Sequence, residues 1–192
     1  QTASVAVRLS PESVLHGYVT RNGERSAHGY VQAWFLEEQR DAPTWAQTNE
    51  DGYYGLRELK GGTYLVHVTM WLYEDARGGA QVCERQWVEV LPGQETRLDI
   101  EFNGSGIIHG VFEGPQENEW RAQVLDSSLP VDNQLRATAW KFKENKHYEI
   151  PGLPSGTYTV VGICTPKDGT AVEQSKTISL NEGGTARVDF TF

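Results

Sequence analysis

Three large aromatic side chains, Trp71, Tyr73 and Trp87, are the residues of this sequence whose type and spacing best suit contact with a ligand. Alternating apolar residues predict one strand over residues 63–73 and a second over residues 81–91. Successive side chains of a strand point to opposite faces, so Trp71 and Tyr73 share the face opposite the core, and Trp87 faces outward from the next strand. If the two strands pair as a hairpin, the three rings form an exposed aromatic patch.

Polar side chains accompany these rings on the same faces. His67 lies on the first strand, and Arg85 and Glu89 lie on the second. Tryptophan and tyrosine rings can stack on sugar rings, while acidic neighbours such as Glu89 accept hydrogen bonds from sugar hydroxyls. Two other interpretations stay open: the patch packs on an adjoining unit of the protein, or the loop at residues 73–81 folds over it.

The sequence offers no pattern typical of a catalytic or metal site. It contains no G-x-S-x-G turn for a serine nucleophile, and its histidines lack the H-E-x-x-H spacing of a zinc site. His16 and His109 recur just before a glycine, and we interpret both as structural, because tandem units seldom need a catalytic residue twice. The acidic residues at 49–51 lack the ladder of a calcium loop. We therefore expect no catalytic residue, no metal site and no cofactor.

The charge balance excludes several classes of partner. The formal net charge is −9, whereas binding to nucleic acid needs clustered Lys and Arg that displace counterions from phosphates. Attraction to an anionic membrane surface fails for the same reason. No apolar run approaches the roughly 20 residues of a membrane span. We therefore expect neither a nucleic-acid partner nor insertion into a membrane.

The chain contains an internal repeat. Residues 1–17 align without a gap on residues 94–110, and both segments end in His-Gly. Such repetition predicts an array of similar units, and the length fits two domains, residues 1–102 and residues 103–192. Residues 1–12 correspond to the last strand of a preceding repeat or to an added edge strand. Because the sequence also begins without an initiator methionine, we expect a processed or excised part of a longer array.

The apolar residues near the start of the chain predict a pairing. Val5, Val7 and Leu9 match the apolar positions of the alternating strand at residues 98–102. A lone strand with an apolar face and an unpaired backbone invites pairing. We expect these three residues to add to a sheet edge, either of the first unit or of a neighbouring molecule.

Runs of period two, bounded by Gly, Pro, Asn and Asp, cover the chain, whereas helical periodicity is nearly absent. Seven short antiparallel strands in a unit of about 90 residues fit a sandwich of two sheets. The sequence therefore predicts an all-β fold of two tandem antiparallel β-sandwiches. The predicted strands are 14–20, 29–36, 44–48, 53–57, 63–73, 81–91 and 95–102, followed by 107–113, 119–125, 135–142, 147–150, 157–165, 172–180 and 185–192.

A central motif recurs and carries a family resemblance. D-G-x-Y at residues 51–54 is followed by L-x-x-G-x-Y at residues 59–64, and the second unit repeats the latter at residues 153–158. The second unit has Asn-Lys where the first has Asp-Gly. With a G-x-V near the start and a closing alternating strand, the pattern resembles the carboxypeptidase regulatory-like domain family, of the transthyretin-like and Cna B-type group. The resemblance implies two tandem immunoglobulin-like (transthyretin-like) antiparallel β-sandwiches. The resemblance implies modules appended to other domains of exported bacterial proteins, without one shared activity.

We therefore expect non-catalytic structural or interaction modules, of the spacer or adhesion type. The resemblance places them in a larger protein that is secreted or lies in the cell envelope, in the periplasm or at the cell surface. Their partners are then other domains of the same polypeptide or other proteins. The alternative is a carbohydrate-binding module that holds a glycan with Trp71, Tyr73, Trp87, Arg85 and His67. Structural positions are assigned to the remaining tryptophans and to two unpaired cysteines, namely Trp34, Trp45, Trp120, Trp140, Cys83 and Cys164.

Overall fold

The computed structural model shows a chain built of β-strands, as the alternating pattern predicts. Every regular element in the described part of the chain is a strand. We call β1 to β9 the first unit and β10 to β17 the second unit. Val5, Val7 and Leu9, whose edge pairing stays a prediction, lie outside the described residues, which are 12–36, 43–75, 78–115, 118–129, 134–141 and 146–192.

The observed strands follow the predicted ones closely, but the closing strand of each unit is divided into two short strands, and the strand Glu24–Arg25 has no predicted counterpart. The predicted loop at residues 73–81 is wrong for most of its length, because strands Gly62–Asp75 and Gly78–Val90 extend into it. In the first unit they are β1 (Ser13–Arg21), β2 (Glu24–Arg25), β3 (Gly29–Phe35), β4 (Thr44–Gln47), β5 (Tyr53–Leu59), β6 (Gly62–Asp75), β7 (Gly78–Val90), β8 (Glu95–Arg97) and β9 (Ile100–Phe102). In the second unit they are β10 (Gly106–Glu113), β11 (Glu119–Asp126), β12 (Leu135–Lys141), β13 (His147–Leu153), β14 (Gly156–Thr165), β15 (Val172–Leu180), β16 (Thr185–Arg187) and β17 (Phe190–Thr191).

The two units repeat one small sheet. In the first unit β1 pairs antiparallel with β5 and parallel with β8 and β9. In the second unit β10 pairs antiparallel with β13 and parallel with β16 and β17. The repeat seen in the sequence is therefore a repeat of strand pairings.

The opposite layer is one sheet that runs through both units. Its strand order is β15-β14-β11-β12-β7-β6-β3-β4. Strand β7 of the first unit pairs antiparallel with β12 of the second, with Ala80 opposite Ala139 and Val82 opposite Ala137. We call this pairing the joint. The two sandwiches thus share a layer, whereas the sequence analysis treats residues 1–102 and residues 103–192 as two separate domains.

The core lies between the small sheets and the large sheet, and alternation of side chains builds it. Strand β6 buries Tyr64, Val66, Val68 and Met70, and its intervening residues face the other way. This is the core face that the sequence predicts. Leu15 of β1 joins the same apolar cluster from the small sheet. Burial of alternate apolar side chains from both layers is what stabilises a sandwich.

Two of the structural assignments can be checked directly. Trp120 is buried and stacks on Phe112, with ring centroids 5.4 Å apart, as expected of a core tryptophan. Cys83 and Cys164 are both buried and free. Burial raises the pKa of the Cys83 thiol, which keeps it protonated.

The predicted turn at Asp51-Gly52 joins β4 to β5. Gly52 has a φ of 72°, and its amide donates to the carbonyl of Asn49 over 2.9 Å. The side-chain oxygen of Asn49 accepts from the amides of Asp51 and Tyr53 over 3.0 and 2.9 Å. An asparagine that hydrogen-bonds its own following backbone, followed by glycine in the left-handed region, stabilises a tight turn.

Candidate functional site

In the first unit, the solvent-facing side of the large sheet carries a group of exposed aromatic side chains around one half-buried leucine. Tyr30 and Trp34 lie on β3, Trp45 on β4, Leu65 on β6 and Trp87 on β7. The exposed fractions are 37% for Tyr30, 38% for Trp34, 59% for Trp45 and 51% for Trp87. We call these five residues the aromatic face. Exposed apolar surface of this kind marks contact sites.

Strand register places three of these side chains in one row. Trp34 lies opposite Leu65, and Leu65 lies opposite Trp87 on its other side. Neighbouring strands are about 4.8 Å apart, so the backbones at Trp34 and Trp87 are about 10 Å apart. The half-buried Leu65 fills the space between the two indoles.

A second row brings polar groups next to the rings. Trp45 lies opposite Gln32. His67 lies between Gln32 on one side and Arg85 on the other. The rings of Tyr30 and Trp45 stack with centroids 5.2 Å apart and planes 12° apart, which presents a flat aromatic surface beside this row. The face therefore combines ring planes with amide, imidazole and guanidinium groups.

His67 is neutral on this face at neutral pH. Burial, and secondarily the positive charge of Arg85, lower the pKa of His67 to about 4. Its Nε2 lies 3.4 Å from Oγ1 of Thr69. A neutral imidazole offers one donor and one acceptor, so His67 suits a polar, uncharged ligand better than an anionic one.

Trp71 lies in a different place from Trp87. It is six residues from Leu65 on β6, so about 20 Å separate its position from the row of Trp87. Its ring stacks on Trp140 of the second unit, with centroids 5.4 Å apart and planes 21° apart. Its exposed fraction is 46%. Trp71 therefore packs at the joint, one of the interpretations that the sequence left open.

The five residues predicted for a ligand are thus not gathered at one point. Trp87, Arg85 and His67 lie on or beside the aromatic face, and Trp71 lies at the joint. The backbone of Tyr73 pairs with Ala80, and its side chain is outside the described part of the structure. The predicted single patch of Trp71, Tyr73 and Trp87 therefore becomes two separate aromatic surfaces among the described side chains.

Sequence reasoning missed three members of the aromatic face. The sequence analysis gives Trp34 and Trp45 structural positions and gives Tyr30 no role, yet the side chains of all three are exposed. The signal was present in β3, because Tyr30 and Trp34 alternate with the buried Val31 and Ala33. Alternation assigns them to the outer face, but it does not show whether another element covers that face.

Among the described residues, the second unit shows no equivalent aromatic face. On the corresponding side of its half of the large sheet, one row consists of Thr138, Gln123, Val161 and Ser175. These side chains are small or polar and offer no ring planes. The aromatic face is therefore a difference between two units whose cores agree.

The joint contains a charged cluster on the inner side of the large sheet. Arg136 of β12 forms ion pairs with Glu84 of β7 and, over 3.5 Å, with Asp126 of β11. The three side chains are mostly buried, with exposed fractions of 17–19%. Burial raises the pKa of Glu84, and Arg136 opposes that rise. The cluster ties the first unit to the second.

Glu84 and Arg136 of the charged cluster line a small cleft between the units. Among the described residues, no group of three or more His, Cys, Asp or Glu side chains is placed to hold a metal ion. The described part of the chain also contains no helix that is long and apolar enough to cross a membrane. The cleft is lined by Val82, Cys83, Glu84, Phe102, Asn103, Arg136, Gly152, Leu153 and Pro154.

Comparison with known proteins gives distant likenesses only. No protein-family model matches the chain, and no curated protein matches it. Among solved structures, the TIE protein of Bacillus anthracis is 13% identical over 95% of this chain, with a TM-score of 0.38. This chain spans 34% of that protein's length.

Two pilins show similar levels of likeness. GBS52, the minor pilin of Streptococcus agalactiae, is 12% identical, with 93% of this chain and 94% of that chain covered and a TM-score of 0.43. BcpA, the major pilin subunit of Bacillus cereus, is 12% identical, with 88% and 69% covered and a TM-score of 0.33. Likenesses this distant carry no argument about function, so the fold rests on the strands and pairings themselves.

Proposed function

We propose that the two units form a stiff, non-catalytic structural segment of a larger exported or cell-surface protein, of the spacer or adhesion type. The observation that carries this proposal is the joint, where β7 and β12 make one continuous sheet from two units. Residues 1–102 and residues 103–192 are the proposed modules.

The joint opposes bending between the units. Units linked only by a short glycine-containing segment, such as residues 103–105, would rotate freely about it. Here a rotation would break the ladder between β7 and β12, separate Trp71 from Trp140 and expose the ion pairs of Arg136. Each loss costs free energy, so the favoured state keeps the units in one orientation.

The cellular setting follows from the family resemblance. The D-G-x-Y and L-x-x-G-x-Y motifs support membership of the carboxypeptidase regulatory-like group, and with it a secreted or envelope location. The proposed partners are neighbouring domains of the same polypeptide or other proteins. The acidic balance of the chain, −9 overall, disfavours nucleic acid as a partner.

Nitrogen-15 relaxation tests the stiffness of the joint. We expect one rotational correlation time for both units, fitting a particle of 21.5 kDa. A variant with Arg136→Met and Trp140→Ala should show separate, shorter correlation times for the two units. Trp87→Ala is the matched control, since it removes an indole from β7 away from the joint, and it should behave as the parent chain. Independent tumbling of the units in the parent chain would refute the proposal.

A carbohydrate-binding module is the second candidate, and the aromatic face supports it. The stacked, nearly parallel rings of Tyr30 and Trp45 and the indoles of Trp34 and Trp87 offer flat apolar surfaces for sugar rings. The neutral His67 and the amide of Gln32 beside them suit sugar hydroxyls. Arg85 and His67 thus stay in the proposed site, together with Trp87.

Affinity electrophoresis through gels that contain soluble polysaccharides, together with a glycan array, tests this candidate. We expect retention that Trp45→Ala and Trp87→Ala each abolish. Trp71→Ala is the control, because its ring packs at the joint rather than on the aromatic face. Retention on no glycan, or retention that survives both substitutions, would eliminate the candidate while leaving the structural segment intact.

A further inference from the structure

The first and last strands of each unit lie side by side and run in the same direction. In the first unit Val14 lies opposite Glu95, and the same offset of residues continues to Arg21 opposite Phe102. The ladder is interrupted at Gly17 and continues afterwards in unchanged register. The chain therefore enters the unit on β1 and leaves it on the adjacent parallel strand β9.

Side chains close the interruption in this ladder. The amide of Leu98 donates to the carbonyl of His16 over 2.8 Å. The carbonyl of Leu98 turns away and accepts from the hydroxyl of Tyr54 over 2.6 Å. The amide of Tyr18 then donates to the carboxylate of Asp99 over 3.0 Å, so a side chain takes the place of the missing backbone acceptor.

Asp99 is itself held in place. Arg97 donates to its carboxylate over 2.7 Å, and these contacts lower the pKa of Asp99. Gly17 is required opposite this segment, since a Cβ there would lie 1.9 Å from the carbonyl oxygen of Leu98. The glycine and a backbone carbonyl thus explain the repeated His-Gly of the sequence.

The second unit repeats the arrangement bond for bond. The amide of Val188 donates to the carbonyl of His109 over 2.8 Å, and the hydroxyl of Tyr148 donates to the carbonyl of Val188 over 2.6 Å. The amide of Val111 donates to Asp189 over 3.0 Å, and Arg187 pairs with Asp189 over 2.9 Å. Two units with different outer faces therefore keep one set of strand-closing contacts.

We propose that this arrangement is a mechanical clamp that carries tension along the polypeptide. A pull toward both chain ends draws β1 backward and β9 forward, and because the strands are parallel and adjacent, they must slide past each other. Sliding loads all bonds of the ladder at once, whereas peeling breaks them one after another. The load then passes through residues 103–105 to β10 and the equivalent clamp of the second unit.

The tension between the two chain ends does not pass through the large sheet. The aromatic face lies on β3, β4, β6 and β7, and the joint lies on β7 and β12. All of these strands belong to the large sheet, whereas the entry and exit strands of each unit belong to the small sheets. A unit under tension therefore keeps its outer face folded until the clamp ruptures. This inference depends on the proposed function only in requiring an attachment at each end of the chain; the geometry of the clamp does not depend on it.

Single-molecule force spectroscopy in two pulling directions tests the clamp. Handles at residues 12 and 103 shear the first unit's clamp. Handles at residues 23 and 103 peel it, because the amide of Asn22 donates to the carbonyl of Phe102 and the two handles start on neighbouring strand ends. We expect a rupture force at least about two-fold higher in shear, since the ladder breaks as a whole. Equal forces in the two directions would overturn the proposal.

A pair of variants locates the resistance. Asp99→Ala should lower the rupture force in shear markedly and in peeling only slightly, because the Tyr18 amide loses its acceptor. Glu101→Ala removes an exposed carboxylate of β9, two residues beyond Asp99, and should leave both forces unchanged. An Asp99→Ala variant with the parent's shear force would exclude the clamp contact. If the rupture force in shear is low but both units share one rotational correlation time, the proposed clamp is rejected and the proposed stiff segment is retained.

Discussion

The indole of Trp71 in β6 stacks on the indole of Trp140 in β12, with ring centroids 5.4 Å apart, and so joins two units that the sequence treats as separate. The contact lies beside the ladder between β7 and β12, where Gly79 pairs with Trp140. Glycine at that position leaves the space above the strand free. The stacked rings close the outer side of the joint, and the ion pairs of Arg136 close the inner side.

Trp71→Ala and Trp140→Ala should not have additive effects on stability. A double-mutant cycle is expected to give a coupling free energy of about 1 kcal/mol, typical of a stacked aromatic pair. Urea unfolding of the four proteins measures it. Trp87→Ala combined with Trp140→Ala serves as the control pair and should show no coupling, because these rings are not in contact.

Arg136→Met should destabilise the protein by about 2 kcal/mol, because it leaves the mostly buried Glu84 without its counter-charge. Glu84→Gln added to this variant should restore part of the loss. Arg136 holds down a pKa that burial raises, so without it the folded-state pKa of Glu84 rises further. The stability lost is then greatest above that raised pKa and shrinks as the pH falls below it. A loss that does not vary with pH, measured by urea unfolding, would contradict this account.

Gly17→Ala should cost more than about 3 kcal/mol or prevent folding, because neither strand can move without breaking the ladder. The added Cβ would lie 1.9 Å from the carbonyl oxygen of Leu98. Gly55→Ala on the facing strand is the matched control. Its Cβ would first meet the hydroxyl oxygen of Tyr53 at 3.5 Å, an ordinary contact, so thermal unfolding should show little change.

His67 should make stability depend on pH in the acid range. Its pKa is lowered from 6.5 to about 4 in the folded protein, so the unfolded chain binds the proton more readily. The stability is therefore complete above pH 6.5 and falls as the pH drops toward 4, by about 2 kcal/mol once the partial exposure of the ring is allowed for.

His67→Gln should remove this component of the pH dependence, as measured by urea unfolding between pH 4 and pH 7. His109→Gln, at the strand position before Gly110, is the control and should keep it. A His67→Gln variant with the same pH profile as the parent chain would show that another group, and not His67, changes its pKa between the folded and the unfolded protein.

Much of the fold could be predicted because the signals that define it are local. The alternation of Tyr64, Val66, Val68 and Met70 identifies the core face of β6 without any knowledge of its neighbours. The Asp51-Gly52 turn follows in the same way from the backbone freedom of two residues. The repetition of His16-Gly17 and His109-Gly110 in the sequence favours structural positions for both histidines. The reason for the repeat, a glycine that faces a turned carbonyl, is visible only in the structure.

The amino-acid sequence by itself determined the strands and the faces that point into the core, because both depend on residues close together in the chain. The repeated Arg-x-Asp and His-Gly segments are likewise visible in the sequence. Only the tertiary structure decided that β7 pairs with β12, that Trp71 meets Trp140, and that Trp34 and Trp45 stay exposed beside Trp87. The physical reason is that any strand edge offers the same unpaired backbone groups. Which edge meets which, and which outer face is left in water, depends on how distant segments pack.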